Sequence, residues 1–139
     1  MNVIADTNIL VRALMDDEPR QSALAQELLR NADLVAIPAV VLSELCWVLT
    51  RSYKIARADI MAAIQSVISS ESVAVDASAV EAGLAIMDAG GDFADGIIAD
   101  HGQWLGGDVF ASFDEQAVRL LERAGRAAYL PNGADLPSK

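Results

Sequence analysis

The sequence predicts an α/β fold, a three-layer α/β/α sandwich around a mostly parallel sheet of four or five strands. Three observations predict it. Short apolar runs of strand length recur along the chain: "NVIA", "LVAIP", "SVAVD" and "DVFASF". Between them lie longer segments whose apolar residues recur at helical spacing, and strands alternating with helices imply parallel βαβ units. The length of 139 residues, 53% hydrophobic but only 5% aromatic, suits one domain with a core of Ala, Val, Leu and Ile.

The elements follow in order. A strand from Asn2 to Ala5 ends at Asp6, and "TNILVRALM" continues as a short helix with Thr7 or Asn8 as its cap. From Arg20 to Arg30, Leu24 and Leu28 share one helical face with Leu29 beside them. A second strand starts at Leu34, and Pro38 suits the first turn of a helix that runs to about Ser52. Ile60, Met61, Ile64, Val67 and Ile68 mark a helix from Arg57 to Ser69, and "SVAVD" at 72–76 alternates as a strand. Val80, Leu84 and Met87 form the next stripe, which Gly90 and Gly91 end. Asp92 opens a helix that closes near Gly102, and a strand follows from Asp108. A helix from Asp114 to Ala124 stops at Gly125, and "AAYLP" is a last strand. Residues 1–131 read as one domain and 132–139 as a disordered C-terminal tail.

Composition narrows the function classes. One cysteine, Cys46 in "ELCWVL", excludes an intrachain disulfide and a cysteine-cluster metal site, and reads as core packing. Asp6 interrupts any signal-peptide pattern. The longest apolar run, Leu34 to Leu42, contains Pro38 and falls far short of the roughly 20 residues of a membrane helix. A cytoplasmic protein without a membrane segment is expected. Ten basic residues against 20 acidic ones leave a net charge of -10. That balance opposes binding to nucleic acid unless the acids are concentrated in a site for metal cations.

Where the acids fall is therefore informative. Ligands of parallel sheets bind beyond the C-terminal strand ends, and Asp6 and Asp114 close two strands. Either one can equally cap the following helix. Glu44 lies in a strongly apolar helix with Val40, Val41, Trp47 and Val48 one turn away, so its face is expected to be packed. No basic residue occurs between Asn31 and Thr50 to pair with it, and a buried carboxylate requires compensation. In "GGDFADGIIADHG", Asp92 suits the cap, whereas Asp95 lies one turn in, on the face of Ala99. Asp6, Glu44, Asp95 and Asp114 thus lie on separate elements that can meet at one sheet edge. Carboxylates gathered there call for a hard divalent cation, Mg2+ or Mn2+. Such ions promote in-line attack on a phosphodiester.

"DTNIL", "SEL", "DFADGII" and "SFD", in this order across nearly the whole chain, resemble the PIN-domain ribonucleases, and in particular the VapC-type toxins of toxin–antitoxin pairs. The resemblance implies a metal-dependent endoribonuclease with Asp6, Glu44, Asp95 and Asp114 as the acidic metal-site residues. It implies Asn8 as a supporting polar residue, Thr7 or Ser112 as a group orienting an acid, and Asp92 as a further acid behind the site. Ser112 stands where Thr is more usual, which preserves the hydroxyl. It also implies a homodimer and a cognate antitoxin whose C-terminal segment blocks the site. Arg12, Arg51, Lys54 and Arg57 are the candidate contacts to RNA phosphates. Arg51 and Lys54 serve equally well as solvated residues at a helix C-terminus.

Two other readings compete. An aspartate-nucleophile phosphatase also uses strand-end acids but needs a D-x-D pair, whereas this chain has Asp6 and Asn8. A catalytically silent PIN scaffold that binds a protein partner has no use for four mutually repelling acids. A dinucleotide-binding fold is disfavoured because "DTN", not a glycine-rich loop, follows the first strand.

Overall fold

The computed structural model describes residues 1–132. By its internal packing the chain falls into two compact units, one of Met1–Ala77 and one from Ser78 onward. The tail expected at 132–139 lies outside the described residues, except for Asn132.

The first unit contains β1 (Asn2–Ile4), α1 (Thr7–Leu14), α2 (Pro19–Asn31), β2 (Leu34–Ala36), α3 (Ala39–Arg51), α4 (Arg57–Ile68) and β3 (Val73–Ala74). Its strands form a parallel sheet in the order β1-β2-β3, with Val3 opposite Val35 and Val35 opposite Val73. Parallel neighbours need crossovers, and the intervening helices supply them. The apolar repeat of α3 explains its packing: Leu42, Leu45 and Leu49, at helical spacing, are all buried. Ile60 and Ile64 do the same for α4.

Two expectations need correction here. The cap of α1 is Asp6, not Thr7 or Asn8: its side chain accepts the Thr7 backbone N–H at 2.8 Å. The buried face of α2 carries Ser22 and Ala25, while Leu24 is exposed. Small residues allow α2 to approach its neighbour closely. The Ser22 hydroxyl donates to the Met15 carbonyl at 3.5 Å, and the Gln26 amide donates to the Ala13 carbonyl at 3.0 Å.

The second unit contains α5 (Ala77–Asp88), whose first residue is the last of the first unit, with α6 (Phe93–Trp104), β4 (Phe110–Ala111), α7 (Glu115–Arg123) and β5 (Ala128–Tyr129). β4 and β5 pair in parallel, Phe110 opposite Ala128. Ile86, Ala99, Leu120 and Leu121 form a buried cluster against which Phe110 and Ala128 pack. α5 and α6 touch through glycines. The Phe93 ring fills the space beside Gly83, and Gly96 sits on the Ala82 backbone. The stop of α5 is a Schellman turn: Gly90 at φ 100° lets its N–H reach the Met87 carbonyl and that of Gly91 the Ile86 carbonyl. This turn delivers the chain to Asp92 at the head of α6.

Among the described residues the predicted strands are present as a three-stranded and a two-stranded sheet, and every pairing is parallel. Among the described residues, no helix is long and apolar enough to cross a membrane.

Candidate functional site

In the first unit, Asp6 and Glu44 line one cleft of about 470 Å3, together with Thr7, Asn8, Arg12 and Tyr53. The parallel sheet explains the placement of Asp6. β1 ends at Ile4, and Asp6 turns the chain into α1 with its Oδ1 on the Thr7 N–H. Thr7 itself is buried and Asn8 is exposed. Glu44 faces solvent, which corrects the expectation of a packed face. Its neighbours Val40 and Trp47 are apolar but 70% and 60% exposed. The packed stripe of α3 is the other one, through Leu42, Leu45 and Leu49. Glu44 is therefore a solvated acid overlooking the cleft, and no buried-charge argument applies to it.

Arg12 is held in place from several sides. Its Nε donates to Gln21 at 2.8 Å, and its Nη1 donates to the Tyr53 hydroxyl at 3.3 Å and to Asp17 at 3.4 Å. Tyr53 donates in turn to Asp17 at 2.7 Å. That bond to a carboxylate, followed by the lesser contributions of burial and the Asp17 charge, raises the phenol pKa. Neither Asp17 nor Tyr53 stood out in the sequence, because the two lie 36 residues apart. Arg51 stacks over Trp47, with its guanidinium carbon 5.8 Å from the ring centroid. Lys54 occupies the left-handed region at φ 56°, and Arg57 opens α4.

In the second unit, the acids gather around the head of α6. Asp92 takes the N-cap position without making a side-chain cap hydrogen bond. Its carboxylate is thus left unspent by the helix. Asp95 lies in the first turn, half-buried, and its N–H bonds the Asp92 carbonyl at 3.1 Å. Burial raises the Asp95 pKa first, and the charges of Asp92 and Asp114 raise it further. Asp114 caps α7 through the Ala117 N–H at 3.1 Å, while its own N–H donates to Ser112 Oγ at 3.0 Å. The Ser112 hydroxyl therefore fixes the backbone from which Asp114 projects. Asp92, Asp95 and Asp114 have no ion pair to a basic side chain among the described residues.

A different acid is neutralised. Asp100, one turn beyond Gly96 on α6, is buried. Its Oδ1 accepts from Ser78 Oγ at 2.8 Å and from Arg126 at 3.2 Å, and its Oδ2 has no partner. Asp100 is not among the acids that the sequence singles out. Its signal was a charged residue directly after Ala99 on an apolar helix, with the compensating Arg126 remote in sequence.

Among the described residues, no three Asp, Glu, His or Cys side chains stand as a group that could hold a metal ion. The chemistry of the donors nevertheless suits a hard divalent cation. They are carboxylate oxygens throughout, and Asp95 carries a charge that burial and like-charged neighbours disfavour. A cation beside it would reverse that penalty.

A family model described as "PIN domain" matches residues 3–124. The chain belongs to the PIN domain family. PIN domains are generally nucleases and typically bind divalent metal ions. The family also has the α/β sandwich fold that the alternation of strands and helices predicted. The PIN match extends from β1 to the end of α7 and so takes in Asp6, Glu44, Asp92, Asp95 and Asp114. No curated protein matched the chain.

Proposed function

We propose that this PIN domain, over residues 1–131, is a metal-dependent endoribonuclease and the VapC-type toxin of a toxin–antitoxin pair, working in the cytoplasm as a homodimer. The observation that carries the reading is the uncompensated acidic cluster at the head of α6, where Asp92 and Asp114 add to the burial of Asp95. A fold gains nothing from such repulsion. A site for cations does.

Asp6, Glu44, Asp95 and Asp114 are the residues that would hold Mg2+ or Mn2+. When bound, such an ion supplies Lewis acidity toward the scissile phosphate and lowers the pKa of the attacking water. The protein's own contribution is placement. Asp6 and Asp114 are each fixed by a backbone N–H, that of Thr7 and that of Ala117. Ser112 steadies the turn before Asp114. Asn8 offers the substrate an exposed amide beside Asp6. The acids at the head of α6 would serve as a receptor for an arginine of the antitoxin, whose planar guanidinium pairs with carboxylates in two-pronged fashion. The acidic surface of this chain, at net charge -10, speeds encounter with a basic peptide.

The test is cleavage of RNA by the purified chain. We expect cutting with Mg2+ or Mn2+, none in EDTA, products bearing a 5′-phosphate, and loss of cutting in Asp6→Ala. A 2′,3′-cyclic phosphate at the cut end would refute the metal-assisted hydrolysis. In cells, expression should arrest growth unless the adjacent gene's product is present. Arrest undiminished in soluble Asp6→Ala would refute the toxin reading.

A further inference from the structure

We propose that Trp47, backed by Arg51, is a stacking platform for one nucleobase of a single-stranded RNA substrate. The inference rests on the ribonuclease reading above and specifies how that site holds its substrate.

Trp47 is not needed for the core of α3. That core is complete in Leu42, Leu45 and Leu49, and Trp47 stays 60% exposed on the opposite stripe. Arg51, one turn further along, lies 5.8 Å from its ring centroid and covers one face of the indole. A flat base can take the other face, and the guanidinium remains within reach of its phosphate. Glu44 lies three residues before Trp47, one turn back along the same face, and lines the cleft with Asp6 and Asn8. A base seated on Trp47 is thereby held one helical turn from an acid of the proposed cleavage site.

One observation favours a base over a protein surface. The exposed stripe interleaves charges with its apolar residues, running Val40, Glu44, Trp47, Arg51. A protein closing over it would desolvate Glu44, which pairs with no basic residue among the described residues. A nucleotide leaves Glu44 in water. The charge of the molecule bears on where the affinity for RNA comes from. With a net charge of -10 and Arg12 already engaged by Asp17, Tyr53 and Gln21, phosphate attraction is a weak source of affinity. Stacking is independent of net charge and is worth roughly 5- to 150-fold in Kd per base.

The chain offers its own reporter. In Trp104→Phe, Trp47 is the only tryptophan left. We expect its emission to be quenched saturably by a mixed-sequence single-stranded RNA 12-mer in EDTA, where no cleavage occurs. An abasic ribose-phosphate oligomer of equal length and charge should quench it far less. Trp47→Ala should raise the Kd for the 12-mer, and KM in the Mg2+ cleavage assay, about tenfold or more with kcat held, while Trp47→Phe restores most of the affinity. Emission indifferent to RNA, equal response to the abasic oligomer, or an unchanged Kd in Trp47→Ala overturns the platform. If RNA is still cut, the nuclease reading survives that result. If RNA is neither bound nor cut, both fall. Emission that changes with protein concentration alone would assign Trp47 to contact between copies instead, and would also overturn the proposal.

Discussion

Replacing Asp95 by asparagine removes one charge from the head of α6 and preserves the shape of the side chain. The direction of its effect follows from the raised pKa. Burial, then Asp92, then Asp114 disfavour the ionised form in the folded protein. An aspartate whose folded pKa exceeds its unfolded value near 3.8 binds protons more readily when folded. Its ionisation is therefore a destabilising contribution. The penalty is absent below pH 3.8, grows as the pH rises toward the folded pKa, and is complete above it. At neutral pH, without metal, Asp95→Asn should be the more stable protein.

The size is bounded by exposure. Asp95 is only half-buried, so solvent screens each like-charge pair to a few tenths of a kcal/mol, up to about 1. A gain of about 0.5–1 kcal/mol at low salt is expected, or roughly 2–4 °C in Tm for a chain of this size. The gain should shrink at 1 M salt, where the Debye length is about 3 Å. Thermal melts in EDTA at pH 3 and pH 7 measure it, with gain at pH 7 and none at pH 3. Mg2+ or Mn2+ should raise the Tm of the wild type by mass action and that of the variant less. A variant less stable than the wild type at pH 7 in EDTA would refute the reasoning, because the carboxylate would then be making a favourable contact. Equal metal shifts in both proteins would remove Asp95 from the ligand set.

Four structural predictions accompany it. Arg126→Met strips the buried Asp100 of its ion pair and leaves only Ser78 on that carboxylate. Urea titration should show a loss of about 2–4 kcal/mol. Gly96→Ala drives a methyl group onto the Ala82 backbone and to 2.7 Å from Gly83 Cα, so it should cost about 1–3 kcal/mol or more. Gly102→Ala on the same helix, with nothing within 4 Å, should be neutral or stabilising by up to about 1 kcal/mol in the same titration. Burial pushes the Cys46 thiol up to about 12, so a disulfide reagent at pH 8 should label it only at the rate of unfolding.

The elements were legible because their signals are local. Pro38 before α3, the glycines after α5 and α7, and the alternating apolar runs each act within a few residues. Which face of a helix is buried is not local, and for that reason the packed face expected around Glu44 is not found. α3 carries two apolar stripes, and periodicity alone cannot say whether Leu42–Leu45–Leu49 or Val40–Trp47 meets the core. Leu24 misled for the same reason, since the tight approach of α2 favours Ser22 and Ala25 over a leucine. The acids followed a similar division. Asp6 and Asp114 were findable because a strand end before a helix start marks them, and both indeed serve as caps. Asp100 and Asp17 were invisible because their partners, Arg126 and Tyr53, lie 26 and 36 residues away. Asp92 separates capping from function most clearly. It occupies the cap position, yet its side chain caps nothing, and its charge instead raises the pKa of Asp95. Dipole and capping arguments explain why an acid is tolerated at such a position. They do not explain an acid that forgoes the cap bond beside two others, and that residue of unexplained charge is what makes the head of α6 a candidate cation site.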